Sequence, residues 1–274
     1  MKSLRQFSYG AWIGATILTL MLIGAIFAPW IAPYGENDIV GGTWEPMSSQ
    51  FWLGTDQLGR DFLSRMLYGA RATFFVAGMA TILSFTFGSL FGFVAATVKG
   101  WTDQTLSRFN DLMMSIPTLI FALVVLSTLD VNVTNLIFVM AILDSTRVFR
   151  LSRSVAVDIA VNDYVEAARL RGEGTLWVIF AEVLPNALSP LMAELGLRFA
   201  FAVLFLSSLS FLGLGIQPPQ ADWGSMVREN SSGIGFGIPA ALLPAAAIAL
   251  LTISVNLVVD SVLNRTSSLK GGRD

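Results

Sequence analysis

The sequence predicts an all-α integral membrane protein with six transmembrane helices. Of its 274 residues, 54% are hydrophobic and only 13% are charged, against about 25% charged in soluble domains. Uncharged apolar runs of membrane-spanning length recur along the chain, and such runs read as spans. Lys and Arg also gather in alternate connecting segments, 12 of the 17 falling on one side. That asymmetry orients the spans by the positive-inside rule.

The first element follows Lys2 and Arg5. Residues 11–32 carry no charge and are long enough to cross. A signal peptide is the alternative. The run is too long for one and ends in Pro29-Trp30-Ile31-Ala32-Pro33 rather than a small-residue cleavage site. It is read as a retained helix, with Trp30 and Tyr34 at the far interface.

Residues 35–71 are polar and rich in Gly, Pro and Trp. Asp56, Arg60, Asp61 and Arg65 are placed to satisfy one another. Phe62, Leu63, Met66 and Leu67 make an apolar face, so residues 61–69 are expected as an amphipathic helix lying on the membrane. Asp56 and Asp61 also raise a catalytic carboxylate pair. A loop knotted by Asp–Arg pairs is the favoured reading, since no further catalytic group converges there.

The second span, 72–98, is uncharged and carries Gly88 and Gly92 at the spacing of close helix packing. Residues 99–111 form a polar turn, and the third span, 112–129, has Pro117 near its start. The fourth begins at 136–143 and runs through Asp144 toward Arg147, Arg150 and Arg153, read as snorkelling cations at a helix end. The fifth span covers 186–216. A short loop with Asp222-Trp223-Gly224 leads to the sixth, 234–259, and then to a basic tail.

Lys2, Arg5, Lys99, Arg108, five arginines between Arg147 and Arg171, Arg265, Lys270 and Arg273 fall on one side. Arg60, Arg65, Arg71 and Arg228 fall on the other, and Arg198 lies within a span. Both termini and the 163–185 segment are thereby placed in the cytoplasm.

That segment reads DYVEAARLRGEGTLWVIFAEVLP. Asn162 and Asp163 suit an N-cap, and Glu166 completes a capping-box-like pair with Asp163. Gly172 suits the C′ stop, with Arg169 and Arg171 at the carbonyl end. Two short helices around a glycine elbow result, with the small pair Ala167-Ala168 open to close approach. Glu166-Ala167-Ala168, three residues, Gly172, nine residues and then Leu184-Pro185 resembles the EAA signature of bacterial ABC-importer permeases. The sequence departs from it at Glu182, where the pattern has Ile, so Glu182 is not expected as a buried anchor. LGTDQLGRDFLSRMLYGAR at 53–71 and LSFLGLGIQPP at 209–219 are similar to the dipeptide, oligopeptide and nickel subfamily.

The resemblance implies a cytoplasmic coupling helix that docks on an ATPase, carried by Tyr164, Glu166, Ala167, Ala168 and Gly172. It implies a second, homologous permease subunit, two cytoplasmic ATPases and a periplasmic substrate-binding protein as partners. It implies a bacterial inner membrane as the setting, with both termini cytoplasmic and the lipid bilayer as surroundings. It implies alternating access for peptides or related small solutes as the mechanism. The implied division is an N-terminal helix and periplasmic loop at 1–71, a five-helix core at 72–264 and a cytoplasmic tail at 265–274.

Several chemistries have no residues to carry them. The sequence has no Cys and no His, which removes thiol chemistry and the commonest general base and metal ligand. No metal site or bound cofactor is expected. Lys2, Lys99 and Lys270 are the only lysines, and none ends a phosphate-binding Gly-rich loop. Any ATP dependence therefore requires a partner, and the resemblance implies that ATP and Mg are bound by the partner ATPases; no catalytic residue is expected on this chain. There is no basic patch suited to nucleic acid. One intramembrane pair remains, Glu194 and Arg198, four apart on the fifth span. A self-neutralised structural pair is the favoured reading, and a lining of the substrate path the other. A secondary transporter without ATPase partners is the alternative function; it calls for inverted repeats that the sequence does not display.

Overall fold

The computed structural model describes residues 9–130 and 132–270, with side-chain surroundings as far as Leu263. Lys2, Arg5 and the side chains of Arg265, Lys270 and Arg273, part of the orientation count, lie outside the described residues. Regular structure among the described residues is helical, apart from two isolated bridges, Ile39 with Arg60 and Thr55 with Asp61.

The chain opens with α1, Tyr9–Ile26, and the single turn α2, Ala28–Ile31. After a loop comes α3, Phe62–Val98, of 37 residues. At 1.5 Å per residue it is roughly 55 Å long, well beyond a bilayer core of about 30 Å. Asp61 starts it by accepting a hydrogen bond from the Ser64 amide at 2.8 Å. The expected membrane-surface helix at 61–69 is thus corrected: these residues are the first turns of α3. Nothing after Gly69 breaks the helix, and Phe62 and Arg65 are buried inside the protein. The boundary drawn at 71/72 likewise falls within α3.

Lys99 and Gly100, both in the left-handed region (φ 60° and 61°), turn the chain sharply. The expected polar turn at 99–111 is instead the amphipathic helix α4, Gly100–Ser115. It meets α5, Thr118–Thr128, at a bend of 87°. Ile116 is extended and Pro117 has no amide to continue the helix, so the expected continuous span at 112–129 is broken there. Next comes α6, Val133–Ala160, capped by Asn132, which accepts from the Asn135 amide at 2.7 Å.

Then follow α7, Asp163–Leu170, and α8, Thr175–Trp177. A π-helical stretch, Val178–Val183, runs directly into α9, Leu184–Phe211. The chain closes with α10, Trp223–Asn230, two short 3₁₀ turns and α11, Leu242–Lys270. The helix continues through the boundary drawn at 264/265.

Among the described residues, four segments are long and apolar enough to span: Tyr9–Ile26, Phe62–Val98, Thr175–Phe211 and Pro239–Leu263. The bent α4–α5 pair makes a fifth if counted as one broken span. The expected six are not reached by length and composition alone. The shortfall is α6, which carries Asp144, Arg147, Arg150, Arg153 and Asp158.

The main core joins α3, α6, α9, α10 and α11 through Phe62, Met140, Leu206, Trp223 and Leu251. Its closest seam is α3 against α6. A Cβ on Gly88 would lie 2.6 Å from the Val148 Cβ, and one on Gly92 would lie 2.8 Å from the Phe149 carbonyl oxygen. The small-residue pair therefore sets the α3–α6 distance, as its spacing predicts. A second core, with Phe93, Val148, Val165, Ile179 and Val183, lies beneath α7.

Candidate functional site

The 163–185 segment folds as a capped helix clamped to the rest of the bundle. The α7 N-cap is Asn162, and Asp163 is the first helical residue. The expected Asp163–Glu166 capping box does not form. The Asn162 side-chain amide donates backward instead, to the Asp158 and Ile159 carbonyls at 3.1 and 2.9 Å, closing the end of α6. The C-terminal stop is as expected. Gly172 takes φ 87°, its amide donates to the Arg169 carbonyl at 2.9 Å, and the Glu173 amide donates to the Ala168 carbonyl at 3.2 Å. These two bonds form a Schellman motif.

The two faces of α7 differ. Val165, a member of the chain's second core, and Ala168 are fully buried. Tyr164, Glu166, Ala167 and Leu170 are exposed, as is Gly172 beyond them. Ala167, and not Ala168, is thus the exposed member of the small pair. Glu182 is half-buried and Val183 is the buried residue, so the departure from the Ile pattern leaves the anchor one position later. The Arg169 guanidinium donates to the Thr97 carbonyl at 3.0 Å. Arg171 lies 6.0 Å from the Trp177 ring centroid.

A polar cluster lies midway along α9. Arg198 Nε donates to Glu194 at 2.7 Å, and Arg198 Nη1 lies 3.5 Å from the Asp144 carboxylate of α6. The Ser84 hydroxyl of α3 donates to Asp144 at 3.2 Å. The guanidinium also lies 5.0 Å from the Phe201 ring centroid. Asp144 and Arg147 line a cavity of about 350 Å³ with Thr81, Thr118 and Ser208. The three arginines of α6 do not share one role. Arg153 forms a two-point pair with Asp103 of α4, at 2.5 and 2.6 Å, Arg150 approaches the Met114 sulfur, and Arg147 faces the cavity.

At the opposite end of α3, residues 35–61 and α10 form a cap. Asp56 accepts from Arg60 at 2.7 Å and from Arg65 at 2.9 Å, and Glu229 of α10 pairs with the same two arginines at 2.9 and 3.1 Å. All four are buried or nearly so. Asp61 takes no part in this network; its carboxylate caps α3. The knotted-loop reading of the Asp–Arg motif fits this geometry, which leaves neither Asp56 nor Asp61 free as an acid–base pair. Burial pushes the Asp222 carboxyl up to about 6, although hydrogen bonds from Ser225 and Gly224 oppose the shift. Burial also raises Glu229, against the opposing charge of Arg60.

The sequence matches the family described as binding-protein-dependent transport system inner membrane component over residues 88–268. Residues 8–44 match the N-terminal TM domain of oligopeptide transport permease C. The chain belongs to this family of transport permeases. It is 34% identical over 260 residues to the di/tripeptide transport system permease protein DppC of Pseudomonas aeruginosa, covering 92% of this chain and 86% of that one. It is 31% identical over 260 residues to the dipeptide transport system permease protein DppC of Haemophilus influenzae, covering 92% and 88%. It is 32% identical over 260 residues to the probable D,D-dipeptide transport system permease protein DdpC of Escherichia coli, covering 94% and 87%. The chain is therefore a membrane permease subunit of an ABC importer.

The permease brings Tyr164, Glu166, Ala167 and Gly172 together on one exposed surface, while Glu194 and Arg198 lie in the bundle and apart from it. Two groups escaped sequence reasoning. Asp144 stands in the sequence as one charge within the fourth span; its mid-helix place calls for a partner, but no local pattern names it. Glu229 is 164 positions beyond Arg65 in the sequence, and nothing local to it points back to the Asp–Arg loop.

Proposed function

We propose that this permease forms half of the path by which di- or oligopeptides are imported, and that α7 transmits the ATPase cycle to it. The relatives named for di- and tripeptides supply the substrate class. The carrying observation is the Arg169–Thr97 hydrogen bond, which fastens a stopped, half-exposed helix to the end of the 37-residue α3.

In this reading the chain crosses six times, through α1, α3, the broken α4–α5 pair, α6, α9 and α11. Its charged residues disqualify α6 as an isolated span, but neighbours shield it: Asp144 meets Arg198 and Arg153 meets Asp103. Both termini and α7 face the cytoplasm of a bacterial cell, and the 35–61 cap faces outward. A second, homologous permease completes the path. Two ATPases bind ATP and Mg, one of them docking on Tyr164, Glu166, Ala167 and Gly172 of this chain, and a substrate-binding protein delivers at the outer cap. ATP-driven closure of the ATPases shifts the permease pair between two packings. Glu194, Arg198 and Asp144 hold α9 against α6 within that pair.

The test is uptake of a labelled dipeptide by proteoliposomes holding the complete complex and its binding protein. Uptake that requires ATP and the ATPase subunits is expected. Uptake driven by an ion gradient without them would overturn the proposal.

A further inference from the structure

A cavity of about 850 Å³ opens between α1, α3 and the cap, away from α7 and from the Arg198 cluster. Its polar rim holds Glu36, Tyr68 and Arg71, and its apolar wall includes Leu22, Ile26 and Phe75. Leu22, Ile26 and Phe75 are exposed, although they lie on helices of membrane-spanning length.

The depth of the rim follows from α3. Arg71 and Lys99 bound the uncharged residues 72–98, a run of about 40 Å at 1.5 Å per residue. A hydrocarbon core of about 30 Å fits between them with a margin at each end. Arg71 therefore lies at a membrane boundary, where headgroups begin. The last turns of α1 lie beside it, followed by the exposed Trp30, a residue type of membrane interfaces.

The rim carries one cation and one carboxylate. Arg71 forms no ion pair among the described residues, and its guanidinium fork suits a phosphate. Glu36 accepts a hydrogen bond from the Ala221 amide. An ionised carboxylate has capacity for several donors, so Glu36 can also take an ammonium. A headgroup that carries both a phosphate and a primary ammonium, joined to acyl chains, matches the rim and the wall in chemical kind. We propose that this cavity is a binding site for a phospholipid with a primary-ammonium headgroup. Arg71 holds the phosphate, Glu36 the ammonium, and Leu22, Ile26 and Phe75 the first part of an acyl chain. The wall continues along the exposed Leu22, Ile26 and Phe75 of two helices of membrane-spanning length, a surface that suits an acyl chain better than the short side chains of a peptide.

The site predicts discrimination between two lipids of equal net charge. Phosphatidylethanolamine offers N–H donors to Glu36, whereas phosphatidylcholine offers none. The experiment is native mass spectrometry of the complete transporter, released from nanodiscs holding equal amounts of the two lipids. Retained phosphatidylethanolamine is expected to exceed phosphatidylcholine several-fold. Glu36→Gln is expected to equalise them, and Arg71→Ala to lower both. Equal retention by the unaltered complex, or none, would overturn the proposal. So would displacement of the lipid by free phosphoethanolamine or a dipeptide, which would mark a polar-solute site. Loss of the second permease subunit from the Arg71→Ala complex would mark a subunit interface instead. The Glu36→Gln comparison does not depend on Arg71, so it decides the proposal where Arg71→Ala fails to assemble.

Discussion

The Arg169 guanidinium donates to the Thr97 carbonyl oxygen at 3.0 Å, across 72 positions of sequence. The last carbonyls of a helix lack partners within it, and a cation there also complements the helix dipole. Arg169 therefore fastens α7 to the end of α3. Arg65, inside the ion-paired cap, belongs to the other end of the same helix. A displacement of α7 thus acts on a rod whose far end is locked into the opposite face of the protein.

Arg169→Ala is expected to leave the protein in the membrane but to uncouple it. Dipeptide uptake by the complete transporter falls several-fold, and ATP hydrolysis responds less to loaded binding protein. Arg169→Lys, which keeps a cation but not the guanidinium fork, is expected to fall between. Equal coupling ratios in all three proteins would show that the bond transmits nothing.

Gly172 separates conformational from steric effects. No atom lies within 4 Å of a Cβ built there, yet φ is 87°. Side chains other than Gly and Asn lose about 1–2 kcal/mol in the left-handed region. Uptake at matched expression is expected to fall in the order Gly, Asn, Ala, Val. If Val transports as well as Gly, the elbow is not needed for docking.

The helical character of the chain, its membrane setting and the helix stop at Gly172 were legible because they rest on local signals: uncharged runs, and glycine at the end of a run of helix formers. The failures share a cause. Asn162, not Asp163, takes the N-cap position, which removes the expected capping box, and only the three-dimensional course of the chain out of α6 reveals that. The kink at Ile116-Pro117 has a visible proline, but its 87° angle depends on packing. Ala168 and Ala167 look alike in sequence, and only the packing of α7 on the rest of the protein decides which is buried. Glu229 and Asp144 became partners through contacts between distant segments, for which a single sequence carries no pattern.

The cap contains two Arg and two acidic side chains in one buried network, so removing one strands the others. Breaking such a network costs about 3–5 kcal/mol. Arg65→Ala is expected to lower the thermal midpoint of the purified complex sharply. Ile39→Ala, at an exposed position on the same loop, is expected to change it little. A similar midpoint for both variants would show that the cap tolerates an unpaired buried carboxylate.

Asp222 gives the cap a pH dependence of definite sign. Its carboxyl is raised from 3.8 to about 6 by burial, so between these values the folded cap holds a proton that the unfolded chain has lost. Its contribution to stability is full below about 3.8 and is lost as pH rises through about 6. Two pH units correspond to on the order of 3 kcal/mol. Glu36 and Glu229 are also raised by burial and act in the same direction. Hydrogen exchange of the α10 amides, corrected for the intrinsic rate, is expected to show greater protection at pH 5 than at pH 7. Asp222→Asn is expected to flatten that difference, and an unchanged slope in this variant would assign it to other groups.

Arg198 is shared between Glu194 on its own helix and Asp144 on α6, and this changes how the intramembrane pair must be tested. Replacing Glu194 and Arg198 together by Leu would strand Asp144, which lies in the bundle with its side chain 21% exposed. The neutral comparison therefore removes all three charges: Glu194→Leu, Arg198→Leu and Asp144→Asn. A buried ion cluster is often no better than apolar residues of similar volume, whereas one broken by removing a single partner costs several kcal/mol. Arg198→Leu alone leaves two carboxylates facing each other and is expected to be the worst assembler of the set. Glu194→Leu leaves Asp144 to neutralise Arg198 and is expected to be mild. If the cluster only holds α9 to α6, the triple variant assembles with its partner subunits and retains most of its dipeptide uptake. Size-exclusion chromatography establishes assembly, and uptake per assembled complex is the deciding quantity. An intact triple variant that no longer transports would sink the structural reading and place Asp144, Glu194 and Arg198 on the substrate path.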